Sequence, residues 1–240
     1  MRIPAQNMEI ERIYSQILGE GKHAIAISSA NSDEGVSSIA QALAERNLLA
    51  GHSTLLVDLN LHHPSFNSLL KLDKSSSKPE LIDISLEKPQ LVTVKEQSIA
   101  LIGVTPPTRR ELVIKLRKPG VLEGCITEWQ QTFDTIIFDT SPINRINANN
   151  IPPERVAAAC NGSLLVVLAG STTEVMVSAA IDKLNAAGAQ LLACVYNDRF
   201  NPSLKDELLR ELRRVEPRFS KMTHRIENWI RKNQLLAMEI

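Results

Sequence analysis

The 240-residue chain is short of several things that would narrow its class quickly. It has three cysteines, Cys125, Cys160 and Cys194, an odd number placed far apart with no CxxC or Cys/His spacing. A disulfide framework and a cysteine metal site are both argued against. Each cysteine sits in a mostly apolar stretch, so buried free thiols in a reducing compartment are expected. Net charge is absent as well, with 27 Lys and Arg against 27 Asp and Glu. Global attraction to nucleic acid or anionic lipid is therefore not expected. No apolar run reaches the ~20 residues that span a bilayer. The stretch from Met1 to Asn7 also lacks the apolar core of a signal peptide. The expectation is a cytoplasmic protein without a transmembrane segment. Tyrosine is scarce, with Tyr14 and Tyr196 alone. What is present is 43% hydrophobic residues, enough for a substantial core in one large domain or two small ones.

Short β-branched apolar runs alternate with longer helical patterns. Strands are expected at His23–Ala30, Thr54–Asn60, Ile99–Val104, Thr135–Ser141, Ser163–Gly170 and Leu191–Asn197. Helices are expected at Val36–Ala50, Arg109–Lys118, Val121–Thr132, Pro153–Cys160 and Thr173–Ala187, with Gly51 and Gly188 as stop signals. Several strands are apolar on both faces, which is what burial between two helical layers demands. The fold class is therefore α/β, a mostly parallel sheet flanked by helices on both faces. The polar segment 71–89 reads as loop.

In such sheets, ligands bind beyond the carboxyl ends of the strands. Three segments meet that condition. The first, Ser29 to Ser38 (SANSDEGVSS), lies between the first strand and the first long helix, where a phosphate-binding loop belongs. Such a loop needs glycine for close approach, a lysine for the β- and γ-phosphates and a Ser or Thr hydroxyl for Mg²⁺. Gly35 and Ser37 fit, but Val36 stands at the lysine position and Asp33 where a second glycine is expected. The second segment is LLVDLNLHHPS, carrying Asp58, Asn60, His62 and His63. The third, FDTIIFDTSP, is shaped like a Walker B strand, and Asp139 could hold Mg²⁺ directly or through water. The adjacent His62 and His63 lack a third ligand and read as loop histidines.

In this order and spacing, the three segments resemble the bacterial tyrosine kinases (BY-kinases) of capsule and exopolysaccharide systems, relatives of the MinD/ParA group of P-loop ATPases. That family reads SA-x-PGEGKST, then LLIDaDlRrPs, then yDyviiDtpP. Further stretches are similar: Pro79 to Pro89 (PELIDISLEKP) to a short helix after the second motif, and Thr105 to Thr108 with Glu111 and Leu112 to a PPNPxELL segment. Cys194 to Asn197 is similar to a strand whose closing Asn lies near the base in relatives. Glu9, Arg12 and Ser15 resemble an ExxRxxR assembly motif with its last arginine missing. The likeness covers roughly residues 8–200.

Departures from the pattern fall on the chemistry. Gly35, Ser37, Asp58 and Asp139 are retained; the lysine is Val36, the second acid of the middle motif is Asn60, the next arginine is His62 and the first loop glycine is Asp33. The C-terminal tyrosine cluster is absent. The further acid expected near Asn144, Asn147, Asn149 and Asn150 is not found. Phosphoryl transfer depends on positioned charge, and losing one preorganised donor costs about 10²–10³ in rate. Asp33 adds negative charge to a loop meant for an anion.

The resemblance therefore implies a pseudo-kinase or pseudo-ATPase, a scaffold or regulatory subunit in a bacterial envelope, polysaccharide or export system. The alternative is an unconventional active kinase or ATPase that borrows a basic residue from elsewhere, such as Lys22 or a residue of a partner subunit. A ParA-like positioning protein would need a basic surface, and none is evident. The vestigial nucleotide site comprises Asp33, Glu34, Gly35, Val36, Ser37, Ser38 and Asn197, with Asp58 and Asp139 as vestigial catalytic acids. Ser37 and Asp139 are the metal ligands if Mg²⁺ binds. No cofactor is expected, ATP or ADP with Mg²⁺ being the alternative. Protein partners are expected, including a membrane-embedded transport or polysaccharide component at the inner membrane and further copies of the chain, but no nucleic acid. Residues 1–200 form the α/β domain in this reading. Residues 201–240, with nine basic and six acidic side chains and apolar residues at helical spacing (Leu204, Leu208, Leu212, Val215), form an amphipathic helical extension.

Overall fold

A computed structural model describes residues 3–18, 23–61, 63–64, 90–93, 100–145, 147–199, 212 and 230. The chain divides into two compact units, Met1–Asn197 and Asp198–Ile240. The first begins with helix α1 (Met8–Ile17), whose N-cap Asn7 accepts the Glu9 amide at 2.8 Å. Strand β1 (His23–Ser29), helix α2 (Val36–Leu49) and strand β2 (Thr54–Leu59) follow. Next come β3 (Gln90–Thr93), β4 (Ala100–Val104), α3 (Arg110–Leu116) and α4 (Val121–Trp129). β5 (Thr135–Thr140) leads through a 3₁₀ turn (Ile143–Arg145) to α5 (Pro153–Ala159). β6 (Gly162–Leu168), α6 (Glu174–Ala186) and β7 (Leu191–Asn197) complete the unit.

The strands form one open sheet in the order β3-β4-β2-β5-β1-β6-β7. Every neighbouring pair is parallel except β3 with β4. Two apolar layers cover its faces. Ile10, Tyr14, Val36, Ile39 and Leu43 of α1 and α2 pack on Ile25, Ile27, Leu56, Ile137 and Leu164. Residues of α3 to α6, among them Leu116, Ile126, Val156 and Leu184, pack on Ala26, Val57, Phe138 and Leu165. Two-sided burial explains the continuous apolar runs: every residue of β2 and β5 is buried.

Strand β3 is absent from the sequence-based reading; it is a four-residue antiparallel edge strand. At the opposite edge, β7 alternates between half-buried and exposed positions. That alternation corrects the expectation of three buried thiols, because Cys194 is exposed while Cys125 and Cys160 are intermediate. The short helix expected within 79–89 and, apart from Leu212 and Ile230, the helical extension at 201–240 fall outside the described residues. No helix among the described residues is long and apolar enough to cross a membrane.

Candidate functional site

The segment between β1 and α2 is tied to residues at or just beyond the carboxyl ends of β5, β6 and β7. Its conformation follows from two left-handed residues, Asp33 (φ 63°) and Gly35 (φ 96°). Asp is among the few side chains that tolerate this region, so Asp33 keeps the turn that a glycine would make there. At Gly35 the constraint is twofold: a Cβ would also lie 2.6 Å from Nδ2 of Asn197. Gly35 is the N-cap of α2, with no side-chain cap and no acid in the first turn. The N-terminus of a 14-residue helix thus opens onto the loop with its electropositive end.

The loop is braced by side chains far away in sequence. Glu34, 2% exposed, turns its carboxylate inward. It accepts the Ala30 amide at 3.0 Å and the hydroxyl of Thr172, which follows β6. Burial raises the Glu34 carboxyl above the usual carboxylate range, and the bonds from Thr172, Asn31 and Ala30 offset part of that rise. Asn197, at the end of β7, donates from Nδ2 to the Glu34 carbonyl at 2.8 Å. Thr172 also caps β6, its Oγ1 accepting the Leu168 amide at 3.0 Å.

Asp58 and Asp139 sit side by side, paired in register on β2 and β5, with Ile27 of β1 level with Asp139. Both acids are fully buried, and the alternation along their strands points them to the face covered by α2. Asp58 Oδ1 accepts the Asn60 amide at 2.9 Å. Asn60, which stands at the position of a second acid, uses its Oδ1 to accept the His63 amide at 3.1 Å. His62 lies outside the described residues. Ser37 and Ser38 are half-buried in the first turn of α2, and Asp33 is exposed.

Val36 departs most from phosphate chemistry. Its side chain is 6% exposed and belongs to the apolar layer with Ile39, Ile27 and Val166. Sequence reasoning singles out the loop, both acids and Val36 as candidates, and the structure places them at the ends of β1, β2 and β5 and the start of α2. It misses Thr172 and the turn Ile143–Arg145, whose attachments to the loop span more than a hundred residues.

The loop and its neighbours suit a nucleotide with Mg²⁺ in part. The glycine approach, the helix terminus, the Ser37 hydroxyl and the Asp139 carboxylate suit phosphate and a hard cation sharing its oxygens. Val36 does not suit the charge on a terminal phosphate. Among the described residues, no group of three or more His, Cys, Asp or Glu could hold a metal ion by itself.

This sheet order, with a helix-capping loop after β1, is that of the P-loop NTPase fold. The MinD protein of Pyrococcus horikoshii solved with Mg-ADP shares that fold, with a TM-score of 0.53, 17% identity and coverage of 72% of this chain and 69% of that one. So does the chimerical protein CapA2B2, with a TM-score of 0.61, 20% identity and coverage of 77% and 81%. More narrowly, the chain is similar in sequence to proteins named bacterial tyrosine-protein kinases. The kinase CpsD of Streptococcus agalactiae is 27% identical over 192 residues, 76% of this chain and 78% of its own length. No family model matches the chain.

Proposed function

We propose that this chain is a pseudo-kinase: a relative of the bacterial tyrosine kinases that keeps their frame and works as a scaffold or regulatory subunit of an envelope or polysaccharide export system. The carrying observation is Val36, packed in the apolar layer at the position where the phosphate loop needs a lysine. Transfer chemistry needs positive groups set against the equatorial oxygens of the moving phosphoryl group, which carry its negative charge. A buried isopropyl group supplies none. Asn60 in place of a carboxylate and the scarcity of tyrosine point the same way. Tyr14 is 8% exposed beneath the Arg46 guanidinium, 4.3 Å from the ring centre, which leaves Tyr196 as the accessible acceptor among the described residues. The retained frame and the kinship with CpsD support partnership with a membrane component and with further copies of the chain.

The test is ATP hydrolysis and autophosphorylation with Mg²⁺, measured beside an intact bacterial tyrosine kinase. The expected rate is at least about 10²-fold lower, in line with loss of one preorganised donor. Turnover equal to that of the intact kinase, and abolished by Asp139→Ala, would overturn the reading.

A further inference from the structure

The loop has lost its own lysine, yet a cation is tied to it from another element. Arg145 closes the 3₁₀ turn after β5, and its Nε donates to Oδ1 of Asn31 in the loop at 2.7 Å. The turn is fixed at several further points. The Asn144 amide donates to the Ala30 carbonyl at 3.2 Å, and the Arg145 amide donates to the Pro142 carbonyl at 3.2 Å. Lys183 of α6 donates from Nζ to the Ile143 carbonyl at 3.2 Å and to Asn144 Oδ1 at 3.1 Å. Ile143 is fully buried and anchors the turn. Arg145 itself is exposed, and among the described residues Asn31 is the one acceptor its guanidinium has.

A guanidinium carries five donors in a rigid fork matched to phosphate oxygens. Using Nε on Asn31 leaves the two Nη groups for a ligand, on a side chain whose aim is already fixed. Preorganisation of this kind removes much of the ordering cost of a long side chain. We propose that Arg145 supplies the positive charge that Val36 cannot, so that the loop holds a nucleoside di- or triphosphate without turning it over. The proposal rests on reading residues 29–38 as a phosphate loop that lacks its lysine, and it adds the ligand class and the residue that recognises it. Arg145 comes from a different strand end than the missing lysine, so it can neutralise a bound phosphate without following the γ-phosphoryl group along the transfer path.

The test is calorimetric titration of the full chain with Mg-ADP and Mg-ATP, alongside Arg145→Gln and Arg145→Lys. Glutamine keeps a donor for Asn31 and removes the charge; lysine keeps the charge and loses the fork. Wild-type binding is expected, weakened about tenfold or more in Arg145→Gln, as loss of a charge-assisted bond implies, with an intermediate loss in Arg145→Lys. The wild-type affinity should also fall with added salt more steeply than that of the glutamine variant. Equal affinity in wild type and Arg145→Gln overturns the proposal, because Arg145 is then only a tether for the turn. Failure of the wild type to bind either nucleotide overturns it too, while leaving the pseudo-kinase reading intact. ATP hydrolysis followed in the same samples bears on the pseudo-kinase reading alone.

Discussion

Glu34 shows how a single residue can look like a ligand and serve as a brace. In the sequence it lies inside the phosphate loop. In the fold its carboxylate is turned away from that duty, committed to the Ala30 amide and the Thr172 hydroxyl. Burial dominates its titration and raises its carboxyl above the ordinary carboxylate range. The linkage follows directly: a folded-state value above the unfolded one means the native chain binds more protons through that interval. Its contribution to stability is present below the unfolded value, near 4.5, and is lost as pH rises through the folded value. Thermal melts of the wild type across that interval should show this loss, and Glu34→Gln should remove that component of the slope. An unchanged slope in the variant would assign the pH dependence to other groups. Asp33 carries a related lesson, since its φ of 63° satisfies the requirement for a left-handed residue without glycine. The sequence marks the position as a lost glycine, yet the backbone it needs survives.

At the scale of elements, the junction of loop and helix is where β1, α2 and β7 meet. Gly35 carries both constraints, a left-handed φ and the Asn197 side chain 2.6 Å from an added Cβ. Gly35→Ala should therefore destabilise by about 1–3 kcal/mol, of which the left-handed backbone accounts for about 1–2 kcal/mol. Asn197→Ala removes the collision but not the φ cost, so the double variant should lose less than the sum of the singles. Denaturant midpoints at constant slope would measure this; strict additivity would show that Asn197 moves aside freely. Strands β2 and β5 were legible because burial on both faces forbids polar interruption before their terminal acids. Strand β3 was not legible. Four residues pairing at an edge through backbone bonds leave no periodic signal. The brace was hidden for another reason: Glu34, Thr172 and Asn197 meet across more than 130 residues of chain, and pairwise contacts at that range have no local pattern. Arg145 was hidden among Asn144, Asn147, Asn149 and Asn150, where the family pattern directs attention to an acid and not to a cation. Phosphate loop and acids are detected as spaced motifs, whereas what positions them emerges from the sheet order.

For the molecule as a whole, the pseudo-kinase proposal turns on whether returning charge raises phosphoryl chemistry. The sheet, the helix terminus and the paired acids remain, so Val36→Lys with Asn60→Asp restores a lysine and an acid at the two positions where the family pattern has them. The first change sacrifices apolar packing and should cost about 1–3 kcal/mol, moderated because a lysine stem can follow the valine path and carry its ammonium out to the loop. The second keeps an acceptor for the His63 amide and adds charge near Asp58 and Asp139, a repulsion that Mg²⁺ relieves. The expected result is ATP hydrolysis in the double variant at least tenfold above wild type, with phosphate nearly absent from Tyr14. Hydrolysis needs only water as acceptor, whereas tyrosine transfer needs an accessible acceptor: Tyr14 is packed between α1 and α2, and the exposed Tyr196 is the tyrosine on which phosphate can fall. Phosphate release assays and mass spectrometry of phosphopeptides separate these outcomes. Hydrolysis that does not rise despite a folded, nucleotide-binding variant would place the defect in the frame and not in its charges. Abundant phosphate on Tyr14 would show that α1 leaves its seat on α2.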